Sequence, residues 1–276
     1  SSDLFYFFYY VFIIINNIKI NRQAAYYENP QQQPQRSNAA FERSQILMTN
    51  GFYKNLHHIA FDYNTSHPSY NSSNITLNGY RFLALEGPQK PSHVNNFLRL
   101  LVNYDVKQLV RVTNDYDQNE FKSENYWHNS IKLNSAEQQT INFKLTDEDP
   151  SQTSLYEILY YGTDEWLDYS GIPPQQLLNI VERVRKDYIP GEIIAIHCSA
   201  GVGRTGTFIA AFILLADIDR QLAKGVAVNN INISIEEIVY KLSLQRAYAI
   251  SEPQQYVNLH QLVQLYLSQK QLTNIS

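Results

Sequence analysis

The sequence predicts an α/β fold, and three stretches carry that prediction. "EIIAIH", Glu192–His197, is a short apolar run of the kind that fills the buried centre of a sheet. "TGTFIAAFILLADIDRQLAKG" follows almost at once, with helical length, good helix formers and Gly225 as a stop. "LRLLVNYDVKQLVRVT", Leu98–Thr113, reads as a helix turning into a strand. Two more helices are expected, Ile235–Leu244 and Pro253 to about Leu267. Strands and helices therefore alternate first, and the C-terminal part is all-helical.

Composition narrows the function classes. A chain of 276 residues buries a sizeable core, and 44% hydrophobic with 17% charged residues suits a soluble globular protein. A net charge of -4 carries no electrostatic footprint for nucleic acid, so no nucleic-acid partner is expected. The single cysteine excludes an intramolecular disulfide and a multi-cysteine zinc site. It fits a reducing, cytoplasmic compartment. Nothing in the composition speaks to oligomeric state.

The N-terminus is read separately. "LFYFFYYVFIII", Leu4–Ile15, is apolar and aromatic but shorter than the roughly 20 residues a membrane span needs. A signal-peptide core, the end of a membrane anchor, and a segment packed on the domain all fit it. Anchoring or export thus stand beside the cytoplasmic reading, and as an anchor Lys19 and Arg22 would put the rest on the cytoplasmic side. "ENPQQQPQRSN", Glu28–Asn38, is a polar proline-containing linker. The division expected is therefore residues 1–38, apolar segment plus linker, and residues 39–276, one domain. No repeat of solenoid length interrupts it.

Cys198 sits where the predicted strand meets the predicted helix, with Ser199, Ala200, Gly201, Val202 and Gly203 as the turn and Arg204 and Thr205 opening the helix. A helix start presents unpaired N–H groups and the positive end of the dipole. Gly201 and Gly203 let successive amides curl into a cup for an anion. Arg204 adds a planar fork that holds a phosphate through two parallel hydrogen bonds. Amides, dipole and guanidinium all favour negative charge, so the Cys198 sulfur is expected as a thiolate nucleophile aimed at a phosphorus held above it. His197 is poised to orient the cysteine through local hydrogen bonds.

Three other readings explain less. Gly201, Gly203 and Gly206 satisfy the G-x-G-x-x-G dinucleotide fingerprint, but no acidic residue stands at the end of a following strand. A buried inert thiol leaves the Gly-x-Gly-Arg-Thr run without a purpose. A Walker A loop fails for want of a lysine before Thr205.

At this point the residues resemble a family. His197 to Phe208, "HCSAGVGRTGTF", is similar almost letter for letter to the H-C-x5-R-[ST] signature of the protein tyrosine phosphatases, in its tyrosine-specific form. "GYRFLALEGP" (Gly79–Pro88), the run from Asn96 into Thr113, "FKSENYWH" (Phe121–His128), "KLSLQR" (Lys241–Arg246) and Gln255-Tyr256 resemble further family segments in the order required. The resemblance implies one domain with a central twisted mixed β-sheet flanked by helices, the phosphate-binding loop lying between a strand and a helix. It implies hydrolysis of phosphotyrosine in proteins through a cysteinyl-phosphate intermediate, and no metal or other cofactor.

Residue roles follow from the same resemblance. Asp168, in "EWLDYSGIPP", is the expected general acid on a mobile loop; the family has W-P-D-x-G-V-P, while this chain carries Leu167 for the proline and one extra residue before Gly171. Thr205 is expected to donate to the sulfur, and Gln255 to place the hydrolytic water, with Ser251 where the family has an earlier glutamine. Lys122 aligns with a lysine near the closed acid loop. In "YKNLHHIAFD" His57 stands where the family tyrosine stacks on the phosphotyrosine ring. Substrate contacts are thus assigned to residues 199–204, His57 and Lys122. The alternatives are a dual-specificity or inositol-phosphate phosphatase, or a catalytically weak phosphotyrosine-binding module.

Overall fold

The computed structural model describes residues 70–273, apart from 118, 127–130, 134–138, 146–154, 164–165 and 169. The apolar segment 4–15, the linker, the boundary at residues 38 and 39, and His57 lie outside the described residues. In order come β1 (Ser72–Leu77), β2 (Tyr80–Leu85), α1 (Pro91–Asn103), β3 (Gln108–Arg111), β4 (Tyr116–Asp117) and β5 (Glu120–Phe121). Then follow β6 (Ile131–Leu133), β7 (Gln139–Phe143), β8 (Tyr156–Gly162), α2 (Pro174–Lys186) and β9 (Ile193–His197). The chain continues through α3 (Gly203–Ala223), a 3-10 turn (Val228–Asn230), α4 (Ile235–Gln245) and α5 (Pro253–Thr273).

Strand β9 is the axis. Every residue of it is buried, because its neighbours β2 and β3 both run parallel to it and helices cover both faces. The sheet runs β1-β2-β9-β3-β8-β7-β6, with antiparallel pairs at both margins, so the expected mixed central sheet is what forms. Alternation along the strands assigns the two faces. Leu83, Leu85, Ile193 and Ala195 pack with Phe97, Leu98 and Leu101 of α1. Phe82 turns the other way, onto the ring of Phe212 in α3 at 5.4 Å.

Helix α3 is buried continuously from Gly203 to Ala216 and again at Ile218. An all-round apolar helix needs cover on every side. The sheet supplies one side, and α2, α4 and α5 supply the others. Gly225, at φ +81°, ends the helix one residue past its cap Lys224, as the sequence signals. Several details differ from the sequence reading. Helix α3 opens at Gly203 rather than Arg204, α5 continues to Thr273, and α2 was not expected. Helix α2 buries Leu177, Leu178, Ile180, Val181 and Val184, a helical stripe that follows two prolines. No helix among the described residues is long and apolar enough to cross a membrane.

Register fixes where the site forms. Leu85 of β2 and Arg111 of β3 both align with His197 of β9, so three parallel strands end level with one another. Cys198 and the loop before α3 sit at that carboxyl edge, where open α/β sheets bind their ligands.

Candidate active site

The cup is made by turning carbonyls outward. Gly87 donates its N–H to the Ser199 carbonyl at 2.9 Å. Arg246 donates Nη2–H to the Ala200 carbonyl at 3.2 Å and Nε–H to the Gly201 carbonyl at 2.8 Å. Across a trans peptide the carbonyl and the next N–H point oppositely. Binding those three carbonyls from outside therefore aims the N–H groups of Ala200, Gly201 and Val202 inward. The Gly201 N–H indeed donates to Cys198 Sγ at 3.2 Å. Gly201 has φ +69°, and a Cβ there would lie 2.0 Å from the Leu85 carbonyl oxygen, so only glycine fits this turn.

Arg246 is itself held from behind by Asn71 Oδ1 and Ser73 Oγ, both at 3.2 Å. Burial pulls its pKa down to about 10, against the charges of Glu86 and Cys198, and it stays cationic at neutral pH. The sequence reading placed it in a family segment and gave it no role. Its buried position on the back of the loop is the tertiary fact that the segment alone does not reveal.

His197 is fully buried. Its Nδ1 lies 3.0 Å from the Cys198 carbonyl and its Nε2 2.7 Å from the Tyr126 hydroxyl. Burial first, then the Arg111 and Arg204 charges, push the imidazole down to about 3, against the upward pull of the Cys198 carbonyl. The ring is therefore neutral. A carbonyl only accepts, so Nδ1 carries the proton and Nε2 accepts from Tyr126. Burial pushes the Tyr126 hydroxyl well up, so that proton stays in place. Phe97 closes the cage edge-on to His197 at 5.2 Å. His197 thus touches the cysteine through its backbone rather than its sulfur.

Arg204 lies under the loop with 1% of its surface exposed. Nη1–H donates to the Trp166 carbonyl at 2.9 Å and Nη2–H to Asp168 Oδ1 at 2.8 Å. Its buried Nε–H has no partner among the described residues, and neither has the buried Thr205 hydroxyl. The other Asp168 oxygen, Oδ2, pairs with Lys122 Nζ at 2.9 Å. Lys122 also holds Glu120 at 2.8 Å. Burial pulls this ammonium down, but the two carboxylates outweigh it and its pKa lies above the ordinary lysine value.

Gln255, buried on the first turn of α5, faces the same loop: a Cβ on Gly203 would lie 3.0 Å from its Nε2 and 2.8 Å from Ser251 Oγ. The structure thus gathers Cys198, the 199–204 loop, Thr205, Asp168, Lys122, Gln255 and Ser251 at one edge of the sheet.

A model of the protein-tyrosine phosphatase domain matches residues 55–265, most of the chain. The chain belongs to the protein-tyrosine phosphatase family. The human receptor-type tyrosine-protein phosphatase eta is 30% identical over 202 residues, 66% of this chain and 14% of that protein. The mouse eta protein is 29% identical over 202 residues, 66% of this chain and 15% of that protein. The human receptor-type tyrosine-protein phosphatase alpha is 26% identical over 220 residues, 69% of this chain and 25% of that protein. This chain therefore spans only a minor part of the length of these relatives.

As a protein-tyrosine phosphatase family member, the chain departs from the family's W-P-D-x-G-V-P pattern at residues 166–173, and the departures have visible consequences. In the stretch lengthened by one residue, the Ser170 carbonyl accepts the Trp166 indole N–H at 3.1 Å. Its hydroxyl contacts the Leu167 carbonyl at 2.7 Å and the Gly171 carbonyl at 3.0 Å. Leu167, where the family has proline, is exposed. Two further contacts hold this loop, and the sequence reading missed both. Asp117 accepts the Asp168 backbone N–H, and Asn258 Oδ1 accepts the Ile172 N–H at 2.9 Å. For Asn258 a signal existed: it is a polar residue at the core-facing spacing of Tyr256, Leu259 and Leu262.

Proposed function

We propose that this chain hydrolyses phosphotyrosine in proteins through a cysteinyl-phosphate intermediate, with residues 39–276 as the catalytic domain. The observation that carries the reading is the pairing of two features in one loop. Cys198 Sγ sits inside a curl of backbone whose Gly201 N–H points at it, and the buried Arg204 beside it keeps an Nε–H with no partner among the described residues. A buried unpaired donor is costly unless an acceptor arrives, and a phosphate oxygen is the acceptor this cup fits.

In the first step the Cys198 thiolate attacks phosphorus, an S–P bond forms, and the P–O bond to the tyrosine ring breaks. The loop amides and Arg204 carry the charge of the transferring phosphoryl group. The substrate phosphate takes Arg204 over from Asp168. That carboxyl takes up a proton from solvent in the first cycle and from the hydrolytic water thereafter, turns to the leaving oxygen and supplies that proton. Lys122 keeps hold of the other carboxylate oxygen. In the second step Gln255 places water against phosphorus, and Asp168 takes the proton. The S–P bond breaks, inorganic phosphate forms, and the Thr205 hydroxyl donates to the returning sulfur. His197 holds the cysteine backbone throughout. A nucleophilic thiol needs a reducing environment to stay active, which supports a cytoplasmic setting for this domain.

The test is phosphate release from matched phosphotyrosine and phosphoserine peptides, with Cys198→Ser as the control. Release from phosphotyrosine alone, abolished in the variant, is expected. Release from both peptides would make the enzyme dual-specific. Retention of phosphotyrosine peptide without release would make it a binding module.

A further inference from the structure

Loop 166–172 carries an acid that must arrive at one atom, yet it lacks the proline that would fix a backbone angle before Asp168. What holds it instead comes from distant parts of the chain. At Asp168 the backbone N–H donates to the carboxylate of Asp117, which is buried at the end of β4. At Ile172 the backbone N–H donates to Asn258 Oδ1, and both residues are buried. Gly171 is pressed so close to α5 that a Cβ would lie 2.1 Å from Asn258 Oδ1 and 2.6 Å from Gln254 Cγ. Asn258 in turn donates Nδ2–H to Gln261 at 3.0 Å, which fixes which way its amide faces.

Asn258 lies three residues after Gln255, on the same face of α5. One stretch of helix therefore meets the phosphate loop through Gln255 at Gly203 and the acid loop through Asn258 at Ile172. We propose that Asn258 is a positioning residue for Asp168: by accepting the Ile172 N–H it keeps the acid loop in register with the phosphate loop. This rests on the reading of Asp168 as the general acid. Without the acceptor, the Ile172 N–H is buried unpaired and the loop end lifts toward water, carrying the carboxyl away from the leaving oxygen.

Leaving-group dependence separates this role from a merely structural one, because only a poor leaving group needs the proton. The quantity measured is kcat/KM, which reports transfer to Cys198 and not the second step that Asp168 also serves. It is taken on phenyl phosphate and on dinitrophenyl phosphate for the parent enzyme, Asp168→Asn, Asn258→Leu and Asn258→Asp. Asn258→Leu is expected to lower kcat/KM for phenyl phosphate on the order of 10- to 100-fold, with dinitrophenyl phosphate changed less than about threefold. Asn258→Asp, which keeps an acceptor oxygen, is expected to recover most of the phenyl phosphate rate. Equal loss on both substrates, or no loss on phenyl phosphate, overturns the positioning role. If Asp168→Asn itself treats the two substrates alike, the acid assignment fails and the proposal falls with it. A selective effect in Asp168→Asn with none in Asn258→Leu rejects Asn258 alone.

Discussion

The phosphate loop and the acid loop lie against each other across Arg204, yet they are built by opposite means. The phosphate loop is a backbone object: Gly201 at positive φ, three carbonyls bound from outside, and a helix start buried under the sheet edge. The acid loop is held by side chains: Asp117, Lys122, Arg204 and Asn258 each grip it from a different element. A site that must bind an anion the same way every turnover gains from fixed amides, which need no reorganisation. In the proposed cycle the second loop hands Arg204 to the substrate and then delivers a proton, and such a part gains from contacts that can be exchanged one at a time.

The largest effect should come from breaking the backbone object. Gly201→Ala puts a Cβ into the Leu85 carbonyl and forces a non-glycine residue into the left-handed region. Activity should fall by more than about 10³-fold, because the inward amides are lost together. Unfolding in urea should show a loss of at least about 2 kcal/mol. The Asn258→Leu variant is the intermediate case, with an effect on kcat/KM confined to poor leaving groups.

The last effect, absent at neutral pH and growing only toward acid, concerns His197 and sharpens the contrast. Its folded-state value, pushed down to about 3, lies below the unfolded value of about 6.5. The unfolded chain therefore binds the proton first as the pH falls. Neutral His197 contributes stability fully above about pH 6.5, and that contribution is lost progressively as the pH drops toward about 3. Between these limits the parent protein should lose up to about 1.4 kcal/mol per pH unit more than His197→Asn, read as urea-unfolding free energy at several pH values. Parallel pH dependence in the two proteins would show that His197 is not held neutral by the fold.

The same contrast explains what the sequence made legible. A backbone object is spelled by local residues, so "HCSAGVGRTGTF" reads as a phosphate loop, and Glu192–His197 and Gly225 mark the strand before it and the stop after it. Asp168, Lys122 and Gln255 were legible only through family resemblance, since spacing along the chain does not bring them together. Asp117 and Asn258 were missed because their meaning is tertiary: each is an ordinary polar residue until the fold lays it against a loop N–H. Elsewhere the turn Asn78-Gly79, both at positive φ, is a hairpin signal that the reading passed over. Helix α2 was hidden because its apolar stripe follows Pro173 and Pro174, which read as loop.

The central claim is that Cys198 attacks phosphorus within this backbone cup. The direct measurement is mass spectrometry of the peptide carrying Cys198, after mixing the enzyme with dinitrophenyl phosphate and quenching within the first turnover. The account predicts one phosphoryl group on Cys198, absent in Cys198→Ser and still formed in Asp168→Asn, because this leaving group needs no acid. Phosphate released at full rate with Cys198 unmodified, or by Cys198→Ser, would contradict it.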